Sequence, residues 1–325
     1  MLVNIYYMER LVLPRFKEKT SGKHVSRIKK EKQINYGRIL AGILGFCVGV
    51  AIFLYPFASA YVAQEKANAY VQTSVPDIYE AQAKKDEKKA EDEGYKYLKE
   101  YNQTIRDAEE VPLNDPFGIG SDTQALSRLG ITDGVVGTLE IPSLHETVPL
   151  YMGAQRDKLM SGVCVIAGTC APLGEQSSNV VIAGHRAAYS GLPMFRDIED
   201  FAPGDTLTIR TPWDTMSYEY VDSYIVSPND TSHLRIQPGQ DIVTLFTCHP
   251  YGHNYQRILA EFKRVDADEV AEGQKTMALK NPISVALTPT TSPILKAERW
   301  LRVVGLVMMI GIPVYAIVSY IKEKE

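Results

Sequence analysis

Ten residues near the end of TLFTCHPYGHNYQR (244–257) hold a cysteine, two histidines and an arginine. An apolar strand ends at Cys248, Pro250-Tyr251-Gly252 forces a turn, and the returning strand brings Arg257 back alongside. A thiol at a strand end is partly exposed, and a nearby cation favours its nucleophilic thiolate. An arginine within reach also stabilises the oxyanion of a tetrahedral intermediate. The chemistry this allows is acyl transfer through a cysteine. Such a reaction further needs an acid to protonate the leaving amine, and histidine is the usual choice.

Six histidines compete for that role. His24 lies in a segment placed below on the cytoplasmic side. His145 and His233 sit in polar connections and read as solvated. His249 follows Cys248 directly, so strand alternation aims it away from the thiol. His253 falls in the turn. His185 ends the apolar strand NVVIAG and opens the loop HRAAYSG, a placement that matches that of Cys248.

The elements that must position these residues begin at Gly134. From there short β-rich segments follow one another: 135–142, 147–151, 162–168, 179–184, 205–211, 217–226, 241–247 and 256–264. Eight strands at this spacing, with brief helical inserts near 154–160 and 191–199, predict a closed β-barrel over 121–265. Ahead of it, 64–110 predicts one or two surface helices interrupted near Pro76. Their charge run KKDEKKAEDE (84–93) reads as a solvated face. Residues 111–120 form a loop, because Pro112 to Gly120 breaks the helical pattern. Residues 266–300 read as a helix and a linker.

Two apolar runs flank this domain. Residues 39–63 contain no charge, and neither do 303–321, each about the ~20 residues that cross a bilayer. Residues 1–38 hold ten Lys or Arg against three Glu, whereas 39–301 carry a net −12. The positive-inside rule therefore keeps 1–38 cytoplasmic, places 64–300 outside the cell membrane, and returns the tail 322–325 after a second span at 301–321. Ala58-Ser59-Ala60 resembles a signal-peptidase site, but the apolar run exceeds the ~7–15 residues of a signal core, which favours an uncleaved anchor. A domain this acidic repels phosphate backbones, so nucleic acid is excluded as a partner. Four cysteines are too few for a disulfide scaffold. Cys164 and Cys170 read either as a short disulfide loop or as two buried thiols. No ligand cluster argues for a metal, and none of this chemistry needs a cofactor.

Ala183-Gly184-His185-Arg186, then Thr244-Leu245-Phe246-Thr247-Cys248, then Arg257, together resemble the signature of the sortases over roughly 110–265. The resemblance implies an eight-stranded barrel in which Cys248 attacks the Thr–Gly carbonyl of an LPxTG-like sorting signal. His185 would act as general acid and then base, Arg257 would position the substrate and its oxyanion, and an incoming amine would resolve the thioacyl enzyme. Asn114-Asp115-Pro116-Phe117 resembles the lid of the class C, pilin-polymerising sortases, in which Asp115 would meet Arg257 and Phe117 would cover Cys248. The plain alternative is an Asp-Pro turn with a buried Phe. The second span agrees with class C, which implies pilins as partners and a pilin lysine as acceptor. Two other readings are a housekeeping enzyme joining surface proteins to cell-wall peptide, and a noncatalytic membrane assembly module. The family often has Gly after the His-Arg pair, where this chain has Ala187, and it carries two histidines close after Cys248.

Overall fold

A computed structural model of the chain describes residues 36–108, 126, 129, 131–144, 146–186, 192, 194–266 and 292–324. Asp115 and Phe117, like His24, His145 and Ala187, lie outside the described residues.

All eight expected strands form: β1 (Val135–Ile141), β2 (Glu146–Met152), β3 (Val163–Val165), β4 (Ser178–Ala183), β5 (Thr206–Arg210), β6 (Thr215–Val226), β7 (Asp241–His249) and β8 (Gln256–Val265). They close into a barrel in the order β1-β2-β3-β4-β7-β8-β6-β5. Pairings β2–β3 and β4–β7 are parallel, and the others antiparallel. Closure leaves no edge strand to template association with another chain.

The two faces of the sheet carry two apolar clusters, as the period of two requires. Val180 and Ile182 of β4, Val243 and Leu245 of β7, and Ile258, Ala260 and Phe262 of β8 point into the barrel core with Leu139, Leu207 and Tyr218. The intervening Val181, Ala183, Phe246 and Leu259 form a second cluster on the outer face, with Cys164 and Tyr151. The two cysteines left open above are buried free thiols on opposite faces, Cys164 in the outer cluster and Cys170 in the core. Burial pushes both thiols up from their ordinary pKa, which keeps them protonated and inert.

The helices pack around the barrel. Helix α1 runs unbroken over Tyr36–Ser74, so the first apolar run and the helix after it are one element, ended by Pro76. Helix α2 is Gln82–Glu91, α3 is Glu93–Asp107, capped by the Asp92 side chain at 2.9 Å from Tyr95 N, and α4 is Arg156–Ser161. The expectation of a solvated charged face over 84–93 is wrong at Lys85, which has no exposed surface. Its ammonium donates to Ile78 O at 2.8 Å, Thr211 O at 2.9 Å and Thr215 Oγ1 at 3.1 Å. Three donors meet three acceptors, so the hydration lost on burial is replaced atom for atom. Lys89 reaches Asp214 at 3.1 Å, so the run clamps α2 onto the connection between β5 and β6.

Helix α5 spans Pro293–Lys324, beginning earlier than the predicted second span and passing through Pro313 without ending. Its first turns dock on the barrel. Leu295 is buried, and Arg299 Nη2 bonds Asp197 at 2.9 Å and Asp200 at 2.7 Å. Further along, a Cβ at Gly305 would collide with the Phe53 ring of α1, so glycine is what lets the two helices touch. Both α1 and α5 are long and apolar enough to cross a membrane.

Replacing Lys85 with Ala leaves two buried carbonyls without a donor and should cost about 2–4 kcal/mol of stability. Urea denaturation of the detergent-solubilised protein reads it. An unchanged midpoint would show that Lys85 is not buried in solution.

Candidate active site

Strands β4, β7 and β8 lie side by side and bring their ends to one rim of the barrel. In the β7–β8 register Cys248 is the direct partner of Arg257. In the β4–β7 register Ala183 pairs with Phe246, and Gly184 N extends the ladder to Phe246 O at 3.1 Å. Continued two residues, that register sets His185 beside Cys248. Thr247 Oγ1 pins it by donating to Gly184 O at 2.6 Å. Paired residues on neighbouring strands share a face. Cys248 and Arg257 therefore stand together on the outer face, one pleat beyond the buried apolar row of Ala183, Phe246 and Leu259, and the β4–β7 register carried past the end of β4 brings His185 to their level.

Local packing fixes each end of this trio. A Cβ on Gly184 would lie 2.7 Å from the Phe195 ring, so glycine is required for β4 to finish against it. Phe195 N then donates to His185 O at 3.1 Å. Arg257 is 8% exposed, and its Nη1 donates to Asn254 O at 3.0 Å, in the turn after β7, and to Gln256 O at 2.9 Å, at the start of β8. Gly252 and Asn254 hold that turn in the left-handed region, at φ +82° and +62°. Cys248 is half-buried. Burial pushes the His185 imidazole below its ordinary 6.5, because desolvation disfavours the charged ring. At neutral pH it is a neutral acceptor.

The remaining histidines divide. His253 is exposed. His233, expected in solvent, is half-buried and stacks on Tyr224 with ring centroids 4.0 Å apart. His249 points away from the thiol into a buried polar cluster, its Nδ1 3.0 Å from Arg186 Nη1 and 3.4 Å from Glu199 Oε1. Arg186 pairs with Glu199 and also donates to Cys248 O at 3.4 Å. Sequence reasoning assigned no role to Arg186 or Glu199. The signal was the place of Arg186 in the Ala183-Gly184-His185-Arg186 motif.

No group of His, Cys, Asp or Glu among the described residues is placed to hold a metal. A cavity of about 690 Å³ opens between α1 and the barrel, lined by Lys66, Tyr70, Asp133, Tyr151 and Lys158, and none of His185, Cys248 and Arg257 lines it.

Residues 139–265 match the Sortase domain family model. Sortase D of Bacillus subtilis (strain 168) is 30% identical over 132 residues, which cover 40% of this chain and 63% of that protein. The chain thus spans a little under two thirds of the length of this curated relative. Solved structures of similar fold include the Sortase C1 of Group B Streptococcus Pilus Island 1, 24% identical with a TM-score of 0.52 over 62% of this chain and 92% of that one. The Sortase C of Streptococcus pneumoniae is likewise 24% identical with a TM-score of 0.52, over 61% of this chain and 97% of that one. Residues 139–265 thus form a sortase domain. Its closed barrel has the fold of the class C sortases among solved structures.

The burial of His185 makes a direct prediction. Followed by NMR, its imidazole should titrate with a midpoint below 6.5. A midpoint at or above that value would mean the ring is solvated or faces a carboxylate.

Proposed function

We propose that this chain is a membrane-anchored cysteine transpeptidase of class C type. In this reading it cleaves an LPxTG-like sorting signal between Thr and Gly and joins the acyl group to a pilin lysine. The observation that supports it best is the row itself: thiol, imidazole and guanidinium on three adjacent strand ends, with Cys248 and Arg257 in direct register. The thiol proton passes to neutral His185 as Sγ attacks the Thr carbonyl carbon. The carbonyl oxygen takes up negative charge, which Arg257 stabilises. His185 then gives its proton to the leaving amine of Gly as the C–N bond breaks, leaving a thioester on Cys248. An incoming lysine amine attacks that thioester, His185 accepts its proton, and the thiolate departs as the new amide forms.

The fold shared with pilus-related class C enzymes supports a pilin substrate. The two apolar helices support a barrel tethered outside the cell membrane by α1 and α5. By resemblance alone, Asp115 and Phe117 would serve as the lid over this row.

The Cys248→Ala variant should give no acyl-enzyme by mass spectrometry with a sorting-signal peptide. Arg257→Ala should slow single-turnover acylation by about 10²–10³-fold. Cys164→Ala and Cys170→Ala should keep most of the rate. Acyl-enzyme formed without Cys248 would overturn the proposal. Incubation with pilin alone tests the acceptor: a covalent ladder is expected, and single products attached only to cell-wall peptide would point to surface-protein anchoring instead.

A further inference from the structure

The reacting residues each have a neighbour in sequence whose side chain turns to the opposite face. Arg186 follows His185, and His249 follows Cys248. These two meet beneath the rim with Glu199 from the turn Ile198–Asp200, and all three side chains are at most 8% exposed. Each nitrogen of the Arg186 guanidinium has an assignment. Nη2 pairs with Glu199, Nη1 donates to His249 Nδ1 at 3.0 Å and to Cys248 O at 3.4 Å, and Nε donates to Arg196 O at 3.4 Å. Because a guanidinium can only donate, the 3.0 Å contact is a hydrogen bond in the tautomer whose Nδ1 is bare and whose ring proton sits on Nε2. Glu199 is itself held from both sides, since Arg299 of α5 bonds Asp197 and Asp200 on either flank.

We propose that Arg186, Glu199 and His249 are positioning residues that cross-link the Cys248 strand end to the His185 strand end, so that thiol and imidazole begin each turnover in register. The proposal deepens the transpeptidase reading and rests on His185 and Cys248 being its reacting pair. The link is short. One side chain adjoining the imidazole grips the carbonyl of the nucleophile and the ring beside it. A displacement of about 1 Å between reacting groups costs about 10²-fold in rate, so a lost link should appear in the chemistry before it appears in the fold.

The test uses the full-length protein in detergent and compares His249→Leu with His249→Asn, whose amide oxygen can replace the Nδ1 acceptor. His249→Leu should slow single-turnover acylation by roughly 10- to 100-fold while a thiol reagent titrates as many sites as in the wild type. His249→Asn should recover most of the rate. Two results overturn the network: sites lost in His249→Leu with the survivors acylating at the wild-type rate, or equal slowing in both variants. Should His249→Leu fail to fold, Glu199→Gln keeps the shape and removes the charge opposite Arg186. It must then slow acylation, and a wild-type rate overturns the proposal. A wild-type protein that titrates but never acylates refutes the transpeptidase reading instead. The network is then judged by alkylation of Cys248 at pH 7, which His249→Leu must slow.

Discussion

Two backbone registers, β4 on β7 and β7 on β8, determine what every nearby side chain can do. With Ala183 opposite Phe246 and Cys248 opposite Arg257, the outer face receives Cys248 and Arg257 with His185 at their level, and the inner face receives Arg186 and His249. A slip of one residue in β7 would exchange the faces, turning His249 outward and Cys248 inward. The barrel guards against that slip by closure, because each strand is paired on both sides. Thr247 adds a side-chain bond to Gly184 O at the level where the ladder ends.

The same alternation separates reactivity from support. The outer row is half-open at Cys248, while the inner cluster is sealed. Burial lowers the pKa of His185 and of His249 alike, but the consequences differ. On the outer face a neutral imidazole can take a proton from a thiol. On the inner face a neutral imidazole can accept from a guanidinium, which a protonated ring could not.

The strands were legible because β4, β7 and β8 are buried on both faces and so read as short apolar runs bounded by turn residues. The pairing of Cys248 with Arg257 was legible too, since a strand ending in Cys, a tight turn and a returning Arg leave little choice of register. Lys85 was not legible. A lysine on an amphipathic helix looks the same whether its ammonium meets water or three protein oxygens, and those oxygens come from Ile78 and from residues some 130 positions away. Glu199 was hidden for a related reason: the 3₁₀ turn Ile198–Asp200 at the end of the expected helical insert is too short to show which face it buries. His233 looked like a polar loop residue because its stacking partner, Tyr224, belongs to a different element.

Arg299 of helix α5 pairs with Asp197 and Asp200 of the barrel turn, and the uncharged run of the helix starts at Val303. Four residues of helix advance about 6 Å, roughly the depth of a single turn. A bilayer around α5 would thus hold the barrel with almost no slack, its rim at a nearly constant height above the headgroups. A partner carried on its own membrane anchor would then meet that rim by diffusing in two dimensions, at an effective concentration set by the surface rather than by the surrounding fluid.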